Sequence, residues 1–358
     1  MDEKIKQILQ LAVHAPSGEN CQPWRFETQG KQVDIYNIPS RDNSLYSWGQ
    51  RASYIAHGAL IENIHIAAST FGYVPKVNPF PDAHNPELVA HIIFDQTTPK
   101  EHPLYSYIKE RATNRKPYRN TTLTTDQRAE LDKVPMGIEK GKILFVEDAQ
   151  KKKAIAEAAA GNERILFENP YMHKFFYDHI TWTKKEDQEK KIGFYIKTFE
   201  LPPPAERMFK LARKPGFVRI ANKVGFSKMV AKQNAKVYAS ASAIGAVVMP
   251  RNSPEDFLLA GRLMQRAWLV ATKLGLSIQP LTGILFLAQG IQKGFGEQFT
   301  PEQQIFVKTQ YQQIKTALGM NQETIAMMFR IGNSELPTAR SIRLSPEISI
   351  MNKTAHNL

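Results

Sequence analysis

"GALIENIHIAASTFG", Gly58 to Gly72, lays over "GRLMQRAWLVATKLG", Gly261 to Gly275, without a gap. Gly58 meets Gly261, Leu60 meets Leu263, Ala68 meets Ala271 and Gly72 meets Gly275, with Ile66 against Leu269 and Ser69 against Thr272. Each segment reads as a helix closed by its last glycine, the first running from about Ala52 to Phe71. Identities among helix-forming residues carry little alone, but the flanking elements keep the same order. An apolar strand follows each helix, "VAHIIFDQ" in the first half and "IAMMFRIGN" in the second, and "KILFVED" stands opposite "WRFET". The pattern predicts a duplicated α+β unit, with residues 1–107 as the first half and 108–358 as the second. Two copies in one chain can pack about a pseudo-two-fold axis, so the chain is expected to stand as a monomer. A site across that axis would take one wall from each half.

Working outward, Ile5, Ile8, Leu9, Ala12 and Val13 recur at helical spacing, and Pro16 is expected to stop that helix. "PWRFETQGKQVDIYN" reads as a hairpin around Gln29 and Gly30. Residues 182–236 have no counterpart in the first half and read as an insertion in the second. That segment also holds most of the +13 net charge: it has fourteen Lys and Arg against five Asp and Glu, with no acid from Arg207 to Lys236. Its Phe209, Phe217, Val218, Ile220, Val224, Phe226 and Met229 alternate with cations. This suits a helix lying on a membrane surface, or a lid with its apolar side inward and its lysines in water. No recognised nucleic-acid module accompanies the charge, so nucleic acid is not an expected partner.

Length allows a sizeable core, in two domains or one large one. The single cysteine, Cys21, excludes an internal disulfide and a thiolate metal site and fits a reducing compartment. The amphipathic, acidic start lacks the pattern of a signal peptide, and no apolar run reaches the roughly 18 residues that a bilayer requires. These features predict a soluble, cytoplasmic protein.

Three polar stretches could carry chemistry. In "APSGENCQPWRFE", Ala15 to Glu27, Ser17, Asn20 and Gln22 offer hydroxyl and amide groups in a loop stiffened by Pro16, Gly18 and Pro23. The same residues could serve only as a helix end and a hairpin lead-in. In "RATNRKPYRN", Arg111, Thr113 and Arg115 alternate, so an extended backbone points them to one side, as a phosphate monoester would need. A solvated basic linker is the alternative. In "ELPTARSIRLSPE", Arg340 and Arg343 are expected beyond the last strand, in an otherwise irregular tail. There is no glycine-rich dinucleotide fingerprint, Walker sequence, zinc helix or nucleophile elbow, and the nine histidines are too scattered to suggest a metal. No side chain announces itself as catalytic, so an enzyme built on this chain would lean on a cofactor.

"APSGENCQPWRF" resembles the APS-x-x-N-x-QPW motif of the FMN-dependent nitroreductase superfamily, and "RATNRKPY" is similar to that family's R-x-S/T-x-R/K motif. "GRLMQRAWLVATKLGLSIQPLTG" resembles its long interface helix and following loop, and "FRIGNSELPTARSIR" its closing strand and basic tail. Two such halves in one polypeptide look like the Acg-type branch, in which one chain mimics the dimer and a lid covers the flavin. Each half keeps a motif that the other lacks, which implies one flavin site per chain. The resemblance implies that Arg111, Thr113 and Arg115 hold the FMN phosphate, with Arg340 or Arg343 as a further clamp. Pro16, Ser17, Asn20 and Gln22 would reach the flavin from the other half, and Pro280, Leu281, Thr282 and Gly283 would lie along it. It further implies NADH or NADPH as reductant and a nitroaromatic, quinone or similar small molecule as acceptor. A permanently closed lid would instead make a flavin-sequestering protein.

Overall fold

In the computed structural model, residues 2–138 and 140–351 are described. The amphipathic start forms the helix Glu3–Ala12, capped by Asp2, whose carboxylate accepts from the Lys4 N–H at 2.8 Å. It ends earlier than Pro16 requires. The N–H groups of His14 and Ala15 turn back onto the carbonyls of Leu11 and Ala12, so tight turns close the helix first. The expected hairpin follows as β1 (Trp24–Gln29) and β2 (Gln32–Asn37), with Gly30 supplying the positive φ of its turn.

The first central helix runs Arg51–Phe71 and stops at Gly72, whose left-handed φ of 80° suits glycine. β3 (Tyr73–Pro79) and β4 (Leu88–Gln96) complete an antiparallel sheet in the order β1-β2-β4-β3. The second half repeats this. β5 (Lys142–Val146) comes first; a helical excursion follows that contains the two-residue strands β6 (Ile180–Thr181) and β7 (Phe194–Tyr195). Then come β8 (Ala243–Met249), the second central helix Pro254–Lys273, β9 (Ser277–Pro280) and β10 (Thr324–Gly332). Its sheet order is β5-β8-β10-β9, again antiparallel throughout. The two orders match strand for strand, so the fold is α+β with a duplicated unit.

The two central helices cross where the sequence aligned them. A Cβ on Gly58 would fall 1.9 Å from the Leu258 carbonyl oxygen, and one on Gly261 would fall 1.9 Å from that of Ile55. The aligned glycines therefore let the backbones touch at the junction of the halves. Around them Glu62, buried, takes Arg262 at 3.0 Å and Arg266 at 2.6 Å, and the Gln265 amide donates to Asn63 at 2.7 Å. One apolar core spans both halves.

Two features break the repeat. Between β5 and β8 the chain makes an excursion over residues 147–242, which takes in 182–236 and also the helices Ala149–Ala159, Gly161–Glu168 and Pro170–Asp178. A small aromatic core of its own, including Phe167, Tyr177, Val218 and Phe226, holds it together. The tail then crosses back and, against the expectation from sequence, is not irregular to its end: β11 (Ile348–Ile350) adds in parallel to β1, whose free edge offers it backbone partners.

Candidate functional site

Arg111 follows the short helix Tyr107–Glu110 in extended backbone, and Thr113 bridges in parallel to Ile278 of β9. The Asn114 N–H donates to the Ile278 carbonyl at 3.1 Å, which pins the arginine stretch to the second sheet. Opposite it stands the loop after the first helix, where Glu19, Asn20 and Gln22 all adopt positive φ. For three non-glycine residues this backbone is costly, and side-chain bonds sustain it. The Asn20 amide donates to the carbonyls of Lys191 and Ile342, both at 3.0 Å, and its oxygen accepts from Arg343 at 2.6 Å.

Between these walls lies a cavity of about 220 Å³. The structure brings Pro16, Ser17 and Asn20 to it from one half and Arg111, Thr113 and Arg115 from the other, with Arg340 and Arg343 from the tail. Gln22 is not part of the lining. Fully buried, it donates to the Lys191 carbonyl at 2.7 Å and accepts from the Leu344 N–H at 2.8 Å, binding insertion and tail together. Pro280, Leu281, Thr282 and Gly283 are not lining residues either. Gly283 is packed against Asn162, whose Oδ1 would lie 2.3 Å from any Cβ there. His14, Lys109, Phe194, Thr198 and Ser341 line the cavity without having been singled out. His14 lies beside the recognised motif, whereas Phe194 and Thr198 reach the cavity from the insertion and leave no local signal. The basic helices Pro203–Leu211 and Pro215–Asn222 contribute no lining residue.

The charge here is one-sided. Arg111 is 7 % exposed; its Nη2 donates to the His14 carbonyl at 2.9 Å, its guanidinium lies 4.6 Å from the Trp268 ring, and its Nε has no partner. Arg343 Nε is likewise buried and unpartnered. Arg115 donates to the Thr198 carbonyl at 3.0 Å and stands against Phe194 and Phe199. Among the described residues no carboxylate lies within ion-pair distance of Arg111, Arg115, Arg340 or Arg343. Burial, with Arg343 and Arg340 close by, pushes the Arg111 guanidinium well below its ordinary range, and burial brings Arg343 down to about 10. Burial first, then Arg343, Lys109 and Arg111, lowers His14 to about 4, so its ring is neutral at pH 7. A buried Arg111 beside part-buried Arg115 and Arg343, with Glu200 acting on Arg115 only from beyond ion-pair distance, is costly alone and fits an anion with several oxygens.

Curated relatives point the same way. An uncharacterized protein of Mycobacterium tuberculosis, MT1398, is 26% identical over 293 residues, covering 79% of this chain and 39% of the relative. "Putative NAD(P)H nitroreductase Rv3131" of the same organism is 28% identical over 118 residues, 32% of this chain and 34% of the relative. "Putative NAD(P)H nitroreductase acg" is 32% identical over 92 residues, 25% of this chain and 27% of the relative. Parts of this chain are thus similar to putative NAD(P)H nitroreductases of the Acg group. The match takes in well under half the length of each of these relatives. No family model matches this chain. Among solved structures, the NADPH:FMN oxidoreductase of Vibrio harveyi complexed with NAD+ is 11% identical at a TM-score of 0.38, covering 71% of this chain and 79% of that one. An FMN-bound nitroreductase of Bacteroides fragilis is also 11% identical, at a TM-score of 0.34, with coverage of 68% and 95%.

Beside the Gly283 turn the chain buries a carboxyl group. The Tyr238 hydroxyl donates to one Glu163 carboxyl oxygen at 2.8 Å, the other oxygen has no partner, and burial raises the group to about 7. A raised carboxyl favours the fold fully below its ordinary value near 4.5, and that stability is lost as pH rises through about 7. Glu163→Gln should therefore flatten the fall in thermal midpoint between about pH 5 and about pH 8. An unchanged pH slope would show that Glu163 ionises as freely in the folded chain as in the unfolded one.

Proposed function

We propose that the chain is an FMN-binding oxidoreductase, carrying electrons from NADH or NADPH to a nitroaromatic, quinone or similar small acceptor. The observation that supports this reading is the meeting of Arg111, Arg115 and Arg343 at one cavity, facing Ser17 and Asn20 of the other half, with no carboxylate among the described residues lining it. The residues present fit a flavin phosphate. Arg111 and Arg343 would hold its oxygens through their unpartnered N–H groups, and Arg115 and Thr113 would close around it. When bound, FMN supplies the two-electron chemistry, and no side chain need act as acid or base. The protein's part is to orient and to keep water out. Neutral His14 adds no charge, and Phe194 and Phe199 shield the Arg115 side. We read the halves as 1–107 and 108–358 in a monomer, the insertion at about 182–236 acting as lid.

A second reading, flavin sequestration, has its own support. The insertion is bonded shut over the loop of the first half: the Gly193 N–H donates to the Glu19 carbonyl at 2.9 Å, and both Asn20 and Gln22 hold Lys191. The Glu200 carboxylate takes the Thr338 N–H and hydroxyl, at 2.6 and 2.8 Å, and ties the insertion to the tail. The purified protein should be yellow, with one FMN per chain, because the arginine stretch and the amide loop each occur once; two flavins per chain would sink the single-site reading. Stopped-flow mixing with NADH and NADPH then separates the functions. Rapid bleaching of the flavin band is expected of the oxidoreductase, and a band that persists would favour sequestration.

A further inference from the structure

A second cavity, also of about 220 Å³, shares no residue with the first. It lies where the N-terminal end of the first central helix, at Arg51, and Asn252 of the loop before the second meet the helices Gly283–Gln292 and Pro301–Leu318. Arg51 is 1 % exposed, and none of its three guanidinium nitrogens has a hydrogen-bond partner among the described residues. The rings of Trp48, Phe257 and Phe286 box it at 4.9, 4.4 and 4.9 Å. Aromatic faces steady a cation but leave its N–H edge unmet. Among the described residues no carboxylate pairs with it.

Two more groups at this cavity share the deficit. Trp48 Nε1 and Gln289 Oε1 are buried without partners. The Gln289 amide is fixed, since its nitrogen bonds the Tyr311 hydroxyl at 3.0 Å and the Ile325 carbonyl at 3.1 Å, which leaves the oxygen as a free acceptor. Lys293 and Lys315 add positive charge at the lining, while Glu323 is engaged by Lys142 at 3.1 Å. Water could serve the indole or the amide, but it brings no counter-charge to Arg51. The positive end of the helix Arg51–Phe71, which has no acid in its first turn, adds to the same field.

We propose that this cavity binds a small phosphate-type oxyanion, its oxygens taken by the Arg51 fork and the Trp48 N–H, and its hydroxyl donated to Gln289 Oε1. This assignment is independent of the flavin reading. Calorimetric titration of inorganic phosphate at constant ionic strength tests it, on full chains carrying Arg111→Met so that the first cavity is weakened. Saturable binding is expected, and adding Arg51→Met should weaken it about tenfold or more. Adding Lys293→Glu, an exposed change that spares the fold, should weaken it several-fold, and it decides the matter if Arg51→Met does not fold. Absence of saturable binding, or binding that both changes leave untouched, would overturn the proposal and make Arg51 a bolt between aromatic rings.

Discussion

Arg111→Met is expected to weaken FMN binding by roughly 1.5 to 3 kcal/mol, the range for hydrogen bonds to charged groups, while raising the thermal midpoint of the flavin-free chain. The opposite signs follow from one arrangement. The guanidinium is buried beside two other arginines, lacks a carboxylate, and has one nitrogen without any partner. Without an anion it is a desolvated, mutually repelling charge, and an apolar stem of similar length removes that cost while still packing on Trp268. With the phosphate present, the same group forms charge-assisted bonds that methionine cannot make. Equilibrium dialysis gives the affinity, and thermal melts of the stripped protein give the stability. A variant that holds FMN as tightly as the parent would mean that the phosphate lies elsewhere, and a lower midpoint would make Arg111 a structural bond to His14.

Gly58→Ala should cost roughly 3 kcal/mol or more, at or beyond the top of the usual range for overpacking. The added methyl would meet the backbone carbonyl of Leu258 at 1.9 Å, and a carbonyl inside a helix cannot swing aside as a side-chain tip can. The central helices would have to separate, disturbing the Glu62 pairs and the Gln265–Asn63 bond. Alanine favours an isolated helix over glycine by about 1 kcal/mol, so local propensity pushes the other way. Gly216 is the control. It lies in the helix Pro215–Asn222 with open space where a Cβ would go, and its change to alanine should be neutral or mildly stabilising. Urea midpoints of the two variants compare the sites directly; equal midpoints would show that the halves do not meet at Gly58.

Much of this was legible beforehand. The repeat was visible because a close helix crossing demands glycine at the same turn of both helices. The hairpin was visible because Gly30 interrupts two apolar runs. Arg111, Thr113, Arg115, Ser17 and Asn20 could be noticed as polar groups in short loop and extended stretches, and the family resemblance, not their spacing, implied a role for them. The partners of those groups were not legible. Nothing near Gln22 indicates that its amide bonds Lys191 and Leu344, and nothing near Thr198 indicates that its carbonyl meets Arg115.

What the sequence determined by itself was therefore local and periodic: the elements, their duplicated order and the residue types able to hold an anion. Tertiary structure decided the rest. It sent the tail back along β1, where a three-residue strand carries too little pattern to declare its neighbour. It spent the Gln22 amide on backbone and placed Phe194 and Thr198 at the cavity. It also buried Arg51 among rings at the start of the first central helix. The physical reason is that hydropathy and backbone preference act between near neighbours, whereas burial and the pairing of charges depend on what distant segments bring to the same volume.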